Sequence, residues 1–141
     1  MTLERWRRML PGLWAGWLLC VALLATPAPF ATLASADAGR VAGRMLAQEA
    51  YSSVVLALIL LLLERTAERR GGGRPFGLNF GLALGALFCT VAGYFGVQPL
   101  MTAARAGQGP FGFGALHAAS VAFFAAKIAL VLWLGWRAAA R

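Results

Sequence analysis

The reactive side chains of this 141-residue chain are few, and most stand alone in apolar surroundings. Lys127 lies near the middle of the run 116–136, which holds no other Asp, Glu, Lys or Arg. A lysine at that depth in a bilayer is costly and faces the protein interior, a partner or a water-filled cavity. Glu49 is the expected counter-charge. It lies about five residues, roughly 8 Å of helical rise, outward of the centre of the second span. The pair reads either as a tie between two helices or as a proton or anion relay; a snorkelling lysine is the third reading. Ser120 and Val131 share the helix face of Lys127, and Phe124 lies close to it.

A second group gathers at the ends of the apolar runs. His117 is the sole histidine and is followed three residues later by Ser120. It reads as a boundary residue or as a ligand or proton-sensitive group near Gln98, Met101 and Glu49. Tyr94 and Gln98 read as interhelical hydrogen-bond partners close to His117. Cys20 and Cys89 each sit in a four-residue repeat of small side chains: Gly12, Gly16 and Cys20, then Gly81, Gly85, Cys89 and Gly93. Such stripes let helix backbones approach closely, so Gly12, Gly16, Gly81 and Gly85 are expected to pack the first apolar segment against the third. Two thiols and one histidine make only a weak site for a soft metal, so Cys20, Cys89 and His117 are weak candidates and no metal or cofactor is expected. No nucleotide loop, paired-histidine zinc motif, nucleophile elbow or hydrolytic carboxylate pair is present.

The elements that must position these residues follow from composition. Hydrophobic residues make up 60% and charged residues 13%, with mean hydropathy +0.71. Soluble domains carry about half apolar and about a quarter charged residues. Water is therefore not the only solvent, and an all-α integral membrane bundle of four transmembrane helices in one domain (1–141) is expected, with spans near 10–33, 43–64, 78–100 and 116–136. Pro27 and Pro29 predict a kink or break near 25–30 in the first span, and Pro99 an end to the third. The second span has a charge-free core of only 50–63 and borrows from the segment before it. Ala34-Ser35-Ala36 resembles a cleavage site, but the uncharged stretch is long for a signal peptide, so an uncleaved span is expected.

The net charge of +8 does not form a nucleic-acid patch; it lies between apolar blocks. Nine arginines (Arg5, Arg7, Arg8, Arg65, Arg69, Arg70, Arg74, Arg137, Arg141) fall on one side, and Arg40, Arg44 and Arg105 on the other. This bias places both termini in the cytoplasm. Trp6, Trp14, Trp133 and Trp136 are expected in the aromatic belt on that side. Arg69, Arg70 and Arg74 around Gly71–Gly73 read as a basic loop at the headgroups.

Three stretches carry a family resemblance: Gly39-Arg40-Val41-Ala42-Gly43-Arg44-Met45-Leu46, Gly93-Tyr94-Phe95-Gly96-Val97-Gln98-Pro99-Leu100-Met101 and Leu116-His117-Ala118-Ala119-Ser120. Together the chain resembles, from about Trp14 to Trp136, the bacterial family called domain of unknown function 4149, similar to eukaryotic transmembrane protein 205. The resemblance implies an uncleaved four-helix protein of the bacterial inner membrane with no established chemistry. Its recurrent polar positions fall on Gln98, Pro99, Met101, His117 and Ser120. Tyr94, where some relatives have histidine, and Lys127, where glutamine is common, are departures. The expected function is a non-enzymatic module that binds or moves a small solute, ion or proton. The alternatives are an accessory subunit of a membrane complex and a copper- or haem-binding protein. The partners expected are the lipid bilayer and either a second copy or another membrane protein.

Overall fold

The computed structural model describes residues 2–71 and 76–140. Arg74, Gly72 and Gly73 of the basic loop, and the terminal Arg141, lie outside the described residues. The helices are α1 (Thr2–Cys20), α2 (Ala28–Thr32), α3 (Ser35–Gly71), α4 (Leu78–Thr90), α5 (Val97–Arg105) and α6 (Phe113–Ala139). π-helical turns at Val21–Ala25 and Val91–Gly96 follow α1 and α4. Among the described residues there is no strand. Four stretches are long and apolar enough to cross a membrane: Thr2–Thr32, Ser35–Gly71, Leu78–Arg105 and Phe113–Ala139. The chain is thus an all-helical, multi-pass membrane protein, and the four stretches are called spans one to four below.

Proline acts differently at its two sites. Span one breaks where Pro27 and Pro29 predict it: α1 widens into the π turn 21–25, and α2 starts afresh after Pro27. Pro99 does not end span three. The π turn immediately before it has already loosened the backbone ladder, so the missing N–H falls in the first turn of α5 and the helix runs on to Arg105. Span two is also longer than expected, from Ser35 rather than near residue 43, and past residue 64 to Gly71. Its 37 residues rise about 55 Å, against roughly 30 Å of hydrocarbon, so Arg69 and Arg70, expected in the basic loop, lie in the last turn of the helix.

Polar contacts hold that extension. Arg7 donates through Nε and Nη2 to both oxygens of Glu64, at 3.0 and 2.8 Å, and Glu64 is buried. The Glu68 carboxylate accepts the Gly77 N–H at 2.7 Å and so anchors the start of α4. Arg137 Nε donates to Asn79 Oδ1 at 3.0 Å. These ties join all four spans at the end that carries both termini.

The spans form a ring. α1 packs on α3 and α6, and α4 packs on the same two helices, so spans one and three are diagonal. Short connections make successive helices antiparallel neighbours, which leaves first and third on opposite corners. The expected contact of span one with span three is therefore not made. A methyl group added at Gly12, Gly16 or Gly81 meets nothing within 4 Å. Gly85 instead faces Leu130, and Gly93 faces Phe123, both of span four. Spans one and four do approach through their backbones, where Gly135 of α6 meets Pro11 and Gly12. The core between the spans is built from Trp14, Leu18, Leu60, Ala83, Ala86, Val131 and Leu134. Trp14 is thus no belt residue: it is fully buried, because its indole N–H finds a partner inside the bundle. Trp6, Trp133 and Trp136 are exposed, as the belt requires.

The two glycine stripes should respond differently. A Cβ at Gly93 would stand 2.7 Å from the Phe123 Cβ, an atom too near its own backbone to yield. Gly93→Ala is expected to lower stability by about 1–3 kcal/mol, as overpacking does. Gly16→Ala is expected to leave the unfolding midpoint unchanged or slightly raised in thermal denaturation of the purified protein.

Candidate functional site

The centre of the bundle holds a line of polar groups that crosses three spans. The Lys127 ammonium, on α6, donates to both carboxylate oxygens of Glu49 on α3, at 2.7 and 2.9 Å. Ser53, one turn along from Glu49, donates its hydroxyl to Glu49 Oε1. Trp14 of α1 donates its indole N–H to Ser53 Oγ at 2.9 Å. The side chains of Lys127 and Glu49 are 3% and 2% exposed, so both charges are withdrawn from bulk solvent and from lipid. The Phe124 ring lies 4.5 Å from Lys127 Nζ and adds a cation–π contact. Glu49 therefore accepts three hydrogen bonds, which engage both of its carboxylate oxygens.

Span three closes the fourth side. Cys89, Thr90 and Gly93 join Leu46, Tyr94, Gln98, Ser120 and Phe124 around a cavity of about 30 Å³ that reaches the ion pair. That space admits about two water molecules and no larger solute. Gly93 is needed here, since any side chain would strike Phe123. Thr90 turns its hydroxyl back to the Ala86 carbonyl at 2.9 Å and presents no free donor to the cavity.

A second, wider cleft of about 350 Å³ adjoins the first and shares Leu46, Gln98, Ser120 and Phe124 with it. His117, Met101 and Thr26 also line it. His117 is exposed and stacks on Phe113 with ring centroids 5.9 Å apart. The expected neighbourhood of His117, Gln98 and Met101 is present, whereas Glu49 belongs to the inner cavity. Tyr94 lines the inner cavity and not the wider cleft that holds His117. It sits in the π turn and turns towards Tyr51 and Phe95, 6.5 and 5.1 Å away, because the widened turn carries Gly93 and Val97 inward instead. Among the described residues neither Tyr94 nor Gln98 makes the expected interhelical side-chain hydrogen bond.

The thiols do not meet. Cys20 faces outward on span one and Cys89 faces inward beside Lys127, a consequence of the diagonal placement of their spans. Among the described residues no three His, Cys, Asp or Glu side chains converge as metal ligands, and Cys20, Cys89 and His117 are not one cluster. Trp14 and Ser53 were not anticipated as site residues. The signal for Ser53 was its i+4 spacing from Glu49 within an otherwise apolar run; no local pattern marks Trp14.

The model of the family called domain of unknown function 4149 matches residues 9–110, more than two thirds of the chain. The chain belongs to this DUF4149 family. The matched stretch contains Trp14, Glu49, Ser53, Tyr94, Gln98 and Met101, while His117, Ser120 and Lys127 follow it in span four. No curated protein and no solved structure matches the chain.

Breaking one side of the DUF4149 protein's ion pair strands a buried charge. Lys127→Met or Glu49→Leu alone is expected to cost about 3–5 kcal/mol, and the double variant to recover most of it. Unfolding of the three proteins under one lipid or detergent condition checks this; additive losses would show that the two residues are not coupled.

Proposed function

We propose that this DUF4149 protein is a non-enzymatic module of the bacterial inner membrane that binds a small solute in the wider cleft and exchanges a proton with the Lys127–Glu49 pair. One observation carries the reading: a buried ion pair inside the bundle adjoins a water-sized cavity, which in turn adjoins a cleft large enough for a ligand. A bundle that served only as a scaffold would be at least as stable with apolar side chains at both positions. Intramembrane ionisable groups more often mark an ion or proton route. His117 lies on the wall of the cleft, where it is placed to relay a proton between solvent and the inner cavity.

The excess of arginine at the end bearing both termini supports a cytoplasmic position for that end. We also propose the similarity to eukaryotic transmembrane protein 205, at the level of a four-span bundle only. A second reading rests on an observation of its own. Gly12, Gly16 and Gly81 present open faces on the outside of the bundle, which suits close contact with a second copy or another membrane protein. A copper or haem site is less favoured, since its ligands would have to come from more than one chain.

Infrared difference spectroscopy of the protein in lipid separates these readings. A pH step is expected to give a reversible proton-transfer band that is lost in Glu49→Leu/Lys127→Met and slowed in His117→Ala. A pair that stays ionised throughout, with Gly16→Leu disrupting assembly, would replace the proposal by the accessory-subunit reading.

A further inference from the structure

We infer that the wider cleft takes a neutral-headed, single-tailed amphiphile that enters sideways from the bilayer; the inference deepens the solute-binding part of the function proposed above. The argument starts with the break in span one. α1 packs along α6, but beyond the π turn the chain leans away: α2 packs on α3 and has no contact with α6. A gap therefore opens between the outer half of span one and span four, in the membrane half remote from both termini. Ala22 and Thr26 form one wall of this gap, and Val121, Ala125 and Ile128 form the other. Val121 and Ala125 are exposed, so the gap opens towards lipid and not only along the bundle axis.

The lining is ordered by depth. Thr26, Gln98, His117 and Ser120 stand at the end nearest the membrane surface, while Ala22, Phe124, Ala125 and Ile128 stand nearer the bilayer centre. The wall from His117 to Ile128 rises about 16 Å. Polar outside and apolar inside is the polarity of an amphiphile lying in that leaflet. The polar end also has bonding capacity to spare. Thr26 Oγ1 is buried with no hydrogen-bond partner, an arrangement that costs free energy unless something occupies the site. The side chains of Gln98, His117 and Ser120 likewise make no hydrogen bond among the described residues.

Charge and size narrow the class. No carboxylate, ammonium or guanidinium lines the cleft, since Lys127 is committed to Glu49 in the adjoining cavity. An ionic head would therefore lie there without a full counter-charge, whereas hydroxyl, ester or carbonyl groups match the donors and acceptors present. About 350 Å³ falls at the lower end of small-ligand sites, which suits one chain better than a two-chain lipid.

The test uses the full chain in lipid nanodiscs and a monoacylglycerol with a diazirine in its acyl chain, with lysophosphatidic acid bearing the same diazirine as the anionic comparison. Photolysis and peptide mapping should show saturable labelling at 22–26 and 121–128, competed by unlabelled monoacylglycerol and weak with the anionic probe. Ala125→Trp fills the mouth and should abolish the saturable part; if that variant fails to fold, Ala22→Phe closes the opposite wall. Thr26→Val with Gln98→Leu should weaken binding about tenfold, as loss of neutral hydrogen bonds does. Uniform, uncompeted labelling that also covers the lipid-facing Leu58 and Leu62 would overturn the inference, and so would preference for the anionic probe. The Glu49→Leu/Lys127→Met variant keeps the cleft and should label normally. Normal labelling beside a pair that never titrates would therefore sink the proton reading alone, and absent labelling beside a titrating pair would sink the amphiphile alone.

Discussion

A pair of opposite charges withdrawn from bulk water and from lipid is the constraint around which this bundle is arranged. Lys127 and Glu49 come from spans four and two, and neither is tolerable at its depth without the other. Bringing them within 3 Å fixes the axial register of those spans. Ser53 then completes the carboxylate's hydrogen bonds, and Trp14 completes those of Ser53, so span one is drawn into the same register. The network is satisfied throughout, the condition under which buried polar groups specify one packing instead of several.

The same bundle is tied again at the end bearing the termini. There Arg7, Glu64, Glu68, Asn79 and Arg137 join the spans in pairs. Among the described residues no side-chain hydrogen bond or ion pair ties the spans together at the opposite end. Span one breaks at its π turn and prolines and leans towards span two, so the bundle is closed at one end and open at the other. The two cavities lie in this open half, next to the second π turn. Both π turns fall in the spans that border the cavities, which agrees with the tendency of such turns to occur at functional sites.

Much of this was legible in the residues. Composition and the length of the apolar runs already require four membrane-crossing helices. The rarity of charge within them singles out Lys127 and points to Glu49 as its partner. The glycine stripes were misleading because four-residue spacing says that a helix has a smooth face, not what that face meets. Gly85 and Gly93 pack on span four, while a side chain added at Gly12 or Gly16 would meet nothing within 4 Å among the described residues. Tyr94 lines the inner cavity with its ring turned towards Tyr51 and Phe95, a direction that helical periodicity does not give because a π turn intervenes.

By itself, then, the sequence determined the solvent, the number of spans and the charges that must be paired, because each depends on transfer free energies counted residue by residue. Tertiary structure decided which spans are neighbours, that Trp14 is buried and not at the interface, and that Pro99 lies inside a helix. It also decided that a cleft separates span one from span four. These depend on where helices bend and which faces meet, and such contacts between residues distant in the chain leave no local periodicity to read.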